Sequence, residues 1–379
     1  MEGFCWLSGD FSVHATRLKN TYPQSCRADK LVCNILLCIL SLFVTCPSTA
    51  YGQFSELEDF ESYISPAFRK THTISFSGND TLLIGEVSAI DLGSDGRLVI
   101  IDQIGWQAIL FEGNGAYITH LDARQCNPEA RFLPTGAKIR PDSQILVLGT
   151  SPWGFLFDGD GQCKRAMSIE FAGTSHNDLA LENADKMIGI CSMGTGQVLR
   201  FMDGFGRSIR EVKLSESPAP GVDYRWVGGG LVKTTKHLYF ATPSSALIQL
   251  DLEGRPVRVF EFENSWFRQI KQDVTNPFDL DIPQLFRHLS RVGQNRSMVK
   301  DVLLLDDDLV MIQYYNGAAR GAGLPVFDDA GNLVTELLKG DDFFTHARNG
   351  LAYRVVQPDT DDPGNFPNPH LEVYEYRGR

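Results

Sequence analysis

From about residue 70 onward the chain alternates short apolar runs with polar, glycine-rich breaks. "VSAIDLGSDGRLVIIDQIGWQAILFEGNGAYITHL", Val87 to Leu121, is one full unit. It contains four runs of strand length, rich in Ile, Leu and Val, separated by turn residues. The unit returns at Gln144–Ile169, Lys186–Leu214, His237–Phe262 and Leu309–Leu338. Each ends in a turn carrying one glycine in a matched place: Gly115, Gly161, Gly206, Gly254 and Gly331. The first four are 46, 45 and 48 residues apart, and the last gap is 77, which predicts an insertion at about 264–298. A period of 45 to 48 residues with four strands matches one blade of a β-propeller.

A sixth unit has two strands, in Gly350–Thr360 and His370–Arg379, and lacks a fourth. A spare strand, "THTISFSG" at Thr71–Gly78, precedes the first unit. Laid beside the last strand it would close the ring and remove exposed sheet edges. The fold class expected is therefore all-β: a six-bladed β-propeller over 70–379, closed by an N-terminal strand. Residues 51–69 read as a linker.

The hairpin and strand runs "DLGSDGRLVIIDQ", "ILFEGNGAYI", "LFDGDGQ", "QLDLEGRPVRVF" and "VFDDAGNLV" resemble six-bladed propellers of the NHL-repeat and TolB-like type. They look most like those in exported proteins of Bacteroides-like bacteria. The resemblance covers about 70–379 and implies architecture more than activity. Regular Gly-His and Trp-Asp pairs, which WD-type propellers would need, do not occur.

Residues 1–50 are different. "LVCNILLCILSLFVTC", 31–46, is preceded by "RADK" and followed by small residues at Ser48 and Ala50. Its length suits a signal-peptide core better than a membrane span. Cleavage after Ala50 is the preferred reading; an uncleaved, outward-facing anchor and a buried helix are the alternatives. The expected location is periplasmic or secreted. Cys126, Cys163 and Cys191 follow the cleavage point. Their spacing fits neither a disulfide scaffold nor a zinc pair. Buried free thiols are expected, with one bridge as the alternative.

Charge and motifs narrow the function. With 35 Lys and Arg against 47 Asp and Glu, the net charge is -12. There is no cationic surplus to engage a nucleic-acid backbone, although a local basic patch remains compatible with it. "FDGDGQ", Phe157–Gln162, looks like the start of a calcium loop, but the required Gly and Glu positions fall on Cys163 and Ile169. It reads as a hairpin turn, as does "LDDDLV" at 305–310. No metal site and no cofactor are implied. A G-x-S-x-G elbow, an HExxH helix and a phosphate-cradling loop are absent.

Propeller topology sorts loops onto two faces. The second-to-third strand loops and the connections between blades share one face, and the tight hairpins occupy the other. The first face carries Trp106, Trp153, Trp226 and Trp266, with Tyr224, Arg225, Tyr314, Tyr315 and Arg320. Aromatic rings and arginines in loops suit recognition of a glycan, peptide or partner protein. An alternative is a calcium-dependent lactonase or esterase at the channel mouth. Its candidate residues are His176, Asn177 and Asp178, with Asp122, Asn316 and His346 also in reach of that role.

Overall fold

A computed structural model describes residues 59–78, 82–130, 132–149, 153–169, 179–183, 185–193, 196–216, 230–241, 246–261, 284, 297–317, 319–357 and 367–378. The signal or anchor segment and nearly all of the insertion lie outside them. The described chain is a six-bladed propeller built from six four-stranded antiparallel sheets. Blade 1 comprises β2 (Val87–Leu92), β3 (Leu98–Asp102), β4 (Gln107–Phe111) and β5 (Tyr117–His120). Blade 2 comprises β6 (Pro134–Ile139), β7 (Ile145–Gly149), β8 (Trp153–Phe157) and β9 (Cys163–Ser168). Blade 3 runs from β10 (Leu179–Asn183) through β11 (Lys186–Met193) and β12 (Gly196–Asp203) to β13 (Ser208–Glu216). Blade 4 holds β14 (Gly230–Lys233), β15 (Leu238–Ala241), β16 (Ala246–Leu250) and β17 (Pro256–Glu261). Blade 5 holds β18 (Ser297–Asp306), β19 (Leu309–Asn316), β20 (Gly321–Asp328) and β21 (Leu333–Gly340). Blade 6 takes β22 (His346–Arg348), β23 (Leu351–Val356) and β24 (His370–Tyr376) from the C-terminal region, and β1 (Phe68–Ser75) from the N-terminal one.

The closure expected from the sequence is therefore present. β1 pairs antiparallel with β24, Ile74 opposite Leu371 and Phe68 opposite Tyr376, three residues earlier than the apolar pattern suggested. Part of the expected linker is also structured. Phe60–Ile64 forms a short helix, α1, capped by Asp59, whose carboxylate accepts from Ser62 N at 3.0 Å. Phe60, Tyr63 and Ile64 fall at i, i+3 and i+4, so one face is apolar, and it packs against Leu324, Leu337, Phe344 and Tyr374.

Six apolar clusters hold the ring, each between two neighbouring blades. This is the consequence of strands that are apolar on both faces in the middle of each blade: Leu98–Asp102 and Ile145–Gly149 are buried throughout. The first strands of neighbouring blades pack on one another around the axis, as β2 does with both β6 and β22.

The third-to-fourth strand turns follow one design. Gly115, Gly161, Gly206, Gly254 and Gly331 all have φ between 78° and 88°, the left-handed region that closes a type I turn with a bulge. In "FDGDGQ" the accepting residue is Asp158. Its Oδ1 takes Asp160 N at 3.1 Å and Gln162 N at 2.8 Å, and its Oδ2 pairs with Lys164 at 2.8 Å. Asp203, Asp251 and Asp328 accept from their own turns in the same way. These carboxylates are committed to backbone amides. Asp306 likewise accepts from Asp307 N in the first turn of blade 5.

The expectation for the cysteines is corrected. Cys126 and Cys163 form a disulfide, with their Cα atoms 5.5 Å apart. Gln125 Oε1 accepts from Cys163 N at 2.9 Å and so ties the connection after blade 1 to the outer strand of blade 2. A separation of 37 residues hid this proximity in the sequence.

Candidate functional site

The second-to-third strand loop of blade 1 is organised by one buried side chain. Asp102, the last residue of β3, has no exposed surface. Its Oδ1 accepts from Glu86 N (3.2 Å), Ile104 N (3.1 Å) and Gly105 N (3.0 Å). Its Oδ2 accepts from Gly85 N (3.1 Å) and Gln107 Nε2 (2.8 Å). The same Gln107 amide donates to Leu83 O at 3.0 Å. The carboxylate thus fixes both the loop 103–106 and the segment that enters blade 1. Charged acceptors satisfied this fully hold backbone firmly.

What this clamp displays is apolar. Leu83 is 68% exposed, Ile104 69% and Trp106 64%. Trp106 also has φ 51°, a left-handed conformation that costs a bulky residue about 1–2 kcal/mol. Strain together with exposure marks a side chain kept in place for something other than packing. Trp153, at the start of β8 in blade 2, is 49% exposed on the same loop face.

Blade 5 repeats the loop. Asn316 ends β19, pairs with Gly321 across four intervening residues, and accepts from Ala319 N at 3.1 Å through Oδ1. Arg320 is exposed, with φ 55°. Asp102 pairs with Gln107 in the same way, so Trp106 and Arg320 occupy equivalent positions in two blades. Tyr315, beside Arg320, is half-buried; burial raises its hydroxyl above the usual phenol value and the Arg320 charge opposes this.

Tyr314 departs from the surface role expected of it. It is fully buried with Tyr239, Phe260 and Phe327 between blades 4 and 5. Its ring lies over Gly323, where a Cβ would fall 2.2 Å from Tyr314 Cζ. Alternation along β19 turns Tyr314 inward and Tyr315 outward. Tyr224, Arg225, Trp226 and Trp266 lie outside the described residues. So do His176, Asn177 and Asp178.

The other residues named for a hydrolase are placed apart. Asp122 caps a 3-10 turn at Ala123–Gln125 and pairs with Arg124 at 2.9 Å. Asn316 is the loop organiser of blade 5. His346 lies among the inner strands, with Nδ1 4.0 Å from Asp91 Oδ1. Lys138 Nζ is 3.9 Å from the same oxygen, and Ile139 N donates to Asp91 Oδ2 at 2.7 Å. Arg348 donates to Leu92 O. Burial raises the Asp91 carboxyl above its usual value, against the pull of Lys138, the Ile139 amide and Arg348. Burial first, then the charges of Lys138 and Arg348, press His346 down to about 3. A general base works best with a pKa near the operating pH, so His346 is poorly suited to that role.

Sequence reasoning missed Leu83, Ile104 and the organising role of Asp102. A buried carboxylate next to "IGW" was a usable signal, since an acid ending an apolar strand needs several donors.

The sequence matches no protein-family model and no curated protein. Two solved structures from Bacteroides share the fold. A Bacteroides fragilis protein described as exported superposes with a TM-score of 0.58 at 10% identity, over 82% of this chain and 95% of that one. A member of the DUF4221 family from Bacteroides vulgatus gives a TM-score of 0.56 at 10% identity, over 82% and 98%. BamB from Moraxella catarrhalis gives 0.41 at 12% identity, over 81% and 98%. The chain is a six-bladed propeller of the same architecture as the two Bacteroides proteins.

Proposed function

We propose that this protein is an exported, non-catalytic binding propeller. It recognises a glycan, peptide or partner protein on the loop face that carries Trp106. The observation behind the proposal is the platform of Leu83, Ile104 and Trp106, held outward by five hydrogen bonds to buried Asp102. A rigid apolar platform with one ring forced into a strained conformation loses little freedom on binding, which favours affinity. Arg320, presented by the matching loop of blade 5, adds a cation for an acidic or hydroxylated group.

Export is supported by the apolar run at 31–46 and by the Cys126–Cys163 disulfide, which suits an oxidising compartment. The Bacteroides fragilis protein of similar fold is described as exported. Periplasm and exterior are the two locations in keeping with these features.

The test uses Trp106→Ala and Trp106→Gly, screened with wild type on a glycan array and by cross-linking to an envelope extract. Truncating a central anchor ring costs about 2–4 kcal/mol, so affinity for any captured ligand should fall roughly 30-fold or more. Trp106→Gly should not lower stability, because glycine adopts positive φ freely. Equal binding by wild type and both variants, for every ligand captured, would sink the proposal.

A further inference from the structure

Blades 2 and 3 meet along Leu146, Leu156, Met167 and Met202. Two arginines whose guanidinium groups are only partly satisfied stand at the hairpin end of that seam. Arg140 directly follows β6 and is only 4% exposed. Its Nε and one Nη are buried and make no hydrogen bond. Among the described residues the one carboxylate within 4 Å is Asp142, at 3.6 Å from Nε, too far for a hydrogen bond.

Arg165 shares that side of the sheet. Lys138, Leu146, Leu156 and Arg165 lie opposite one another across the four strands, and Arg140 stands two residues beyond Lys138 on the same face. Arg165 Nη2 donates to Gly204 O at 3.0 Å, while its Nε is buried without a partner. Burial, and then the Arg140 charge, lower Arg165 from its usual value; Asp203 opposes them. Asp203 Oδ1 is occupied by Phe205 N (2.8 Å) and Arg207 N (2.9 Å). A groove of about 400 Å³ opens beside Arg165, lined also by Ser168, Phe205, Arg207 and Ser208. The Phe205 ring is exposed, with the Arg165 guanidinium 3.9 Å and the Arg207 guanidinium 5.8 Å from its centre.

A buried guanidinium with unpaired N–H groups is costly, and the like charge that Arg165 feels from Arg140 adds to the cost. An oxyanion would supply the missing acceptors, in the forked geometry that arginine favours. We propose that Arg140 and Arg165 bind an oxyanion (sulfate, phosphate or carboxylate) and that the Phe205 groove holds the organic group carrying it. This site lies on the hairpin face and does not depend on the Trp106 platform. It is a basic pocket in a chain whose net charge is -12.

The purified protein, in dilute chloride buffer, is titrated calorimetrically with sodium sulfate, sodium phosphate and sodium galacturonate, and with dextran sulfate against neutral dextran. Wild type should bind at least one oxyanion saturably. Arg165→Gln and Arg140→Met should each weaken that binding by about tenfold or more, the factor carried by one charge-assisted hydrogen bond. Sulfate and dextran sulfate binding without galacturonate would identify a sulfate ester. Galacturonate alone would identify a carboxylate, and phosphate alone a phosphate ester. In chloride alone Arg140→Met should melt no lower than wild type, since it removes a buried charge lacking hydrogen bonds. Arg165 is half-buried, so Arg165→Gln keeps the test valid if Arg140→Met fails to fold. No binding of any probe by wild type, or equal binding by wild type and Arg165→Gln, would overturn the proposal.

Discussion

His346 should make the fold acid-sensitive in a way one substitution can isolate. It faces Asp91 of β2, whose Oδ1 Lys138 of β6 also approaches, with Arg348 on its own strand and the Tyr353 ring 6.0 Å away. Folding lowers its pKa from 6.5 to about 3. Above pH 6.5 the imidazole is neutral in both folded and unfolded chains, and no stability is at stake. Between 6.5 and about 3 only the unfolded chain takes up the proton, so stability falls as pH falls. The slope is about 1.4 kcal/mol per pH unit, which gives roughly 2 kcal/mol lost at pH 5. Below about 3 both states are protonated and the loss stops growing. Asp91, whose carboxyl is raised in the fold, contributes a slope of the opposite sign over its own range.

The measurement is urea unfolding, followed by tryptophan fluorescence, at pH 7 and pH 5 for wild type and His346→Gln. Glutamine stays neutral, so its stability should change less between the two pH values, by roughly 2 kcal/mol. Other titrating groups are common to both proteins and largely cancel in the comparison. If both proteins lose the same stability, His346 is not held neutral by burial. The reasoning against it as a general base then fails as well.

Two further predictions concern the frame. Reducing Cys126–Cys163, or replacing Cys163 by serine, should cost up to ~4 kcal/mol from the released 37-residue separation, and lower the melting temperature by roughly 6 °C for a domain of this size. Thermal melts with and without reductant would check this, and an unchanged melt would refute it. Glu372→Gln should loosen ring closure at neutral pH by about 2–4 kcal/mol in urea unfolding. The buried carboxylate accepts from Lys70 of the closing strand, from Tyr374 Oη at 2.7 Å and from Arg354 at 3.3 Å. Burial pushes its pKa up, but those partners outweigh it and hold the value low. Its contribution should therefore be complete above about pH 4.5, vanish as pH falls through the lowered value, and be absent in the glutamine variant.

The propeller was legible because its determinants are local and repeated. A hairpin turn needs a positive-φ residue at one position, so Gly115, Gly161, Gly206, Gly254 and Gly331 announce the period by themselves. Ring closure was legible for a related reason, since a last unit lacking one strand and a spare strand ahead of the first unit have one economical solution. Contacts between blades were not legible. The disulfide joins residues 37 apart, and the Tyr314 ring fills the space over Gly323 of the adjacent strand, a cross-strand contact that the local pattern does not show. The α1 helix escaped notice because five residues are too few for a periodic signal to stand out.

The two faces place different physical demands on their side chains. On the loop face, Asp102 and Asn316 accept from backbone amides of their own loops, and Trp106 and Arg320 project from left-handed positions. The strain is local, and these two loops place it at equivalent positions in blades that differ in sequence. On the hairpin face, the strain is electrostatic: Arg140 is buried without the hydrogen bonds that would offset its desolvation. Neither feature takes part in ring closure, which rests on the apolar interblade clusters and on the pairing of β1 with β24. A side chain that costs stability and contributes nothing to closure calls for another role, and the two opposed sites follow from applying that test to Trp106 and to Arg140.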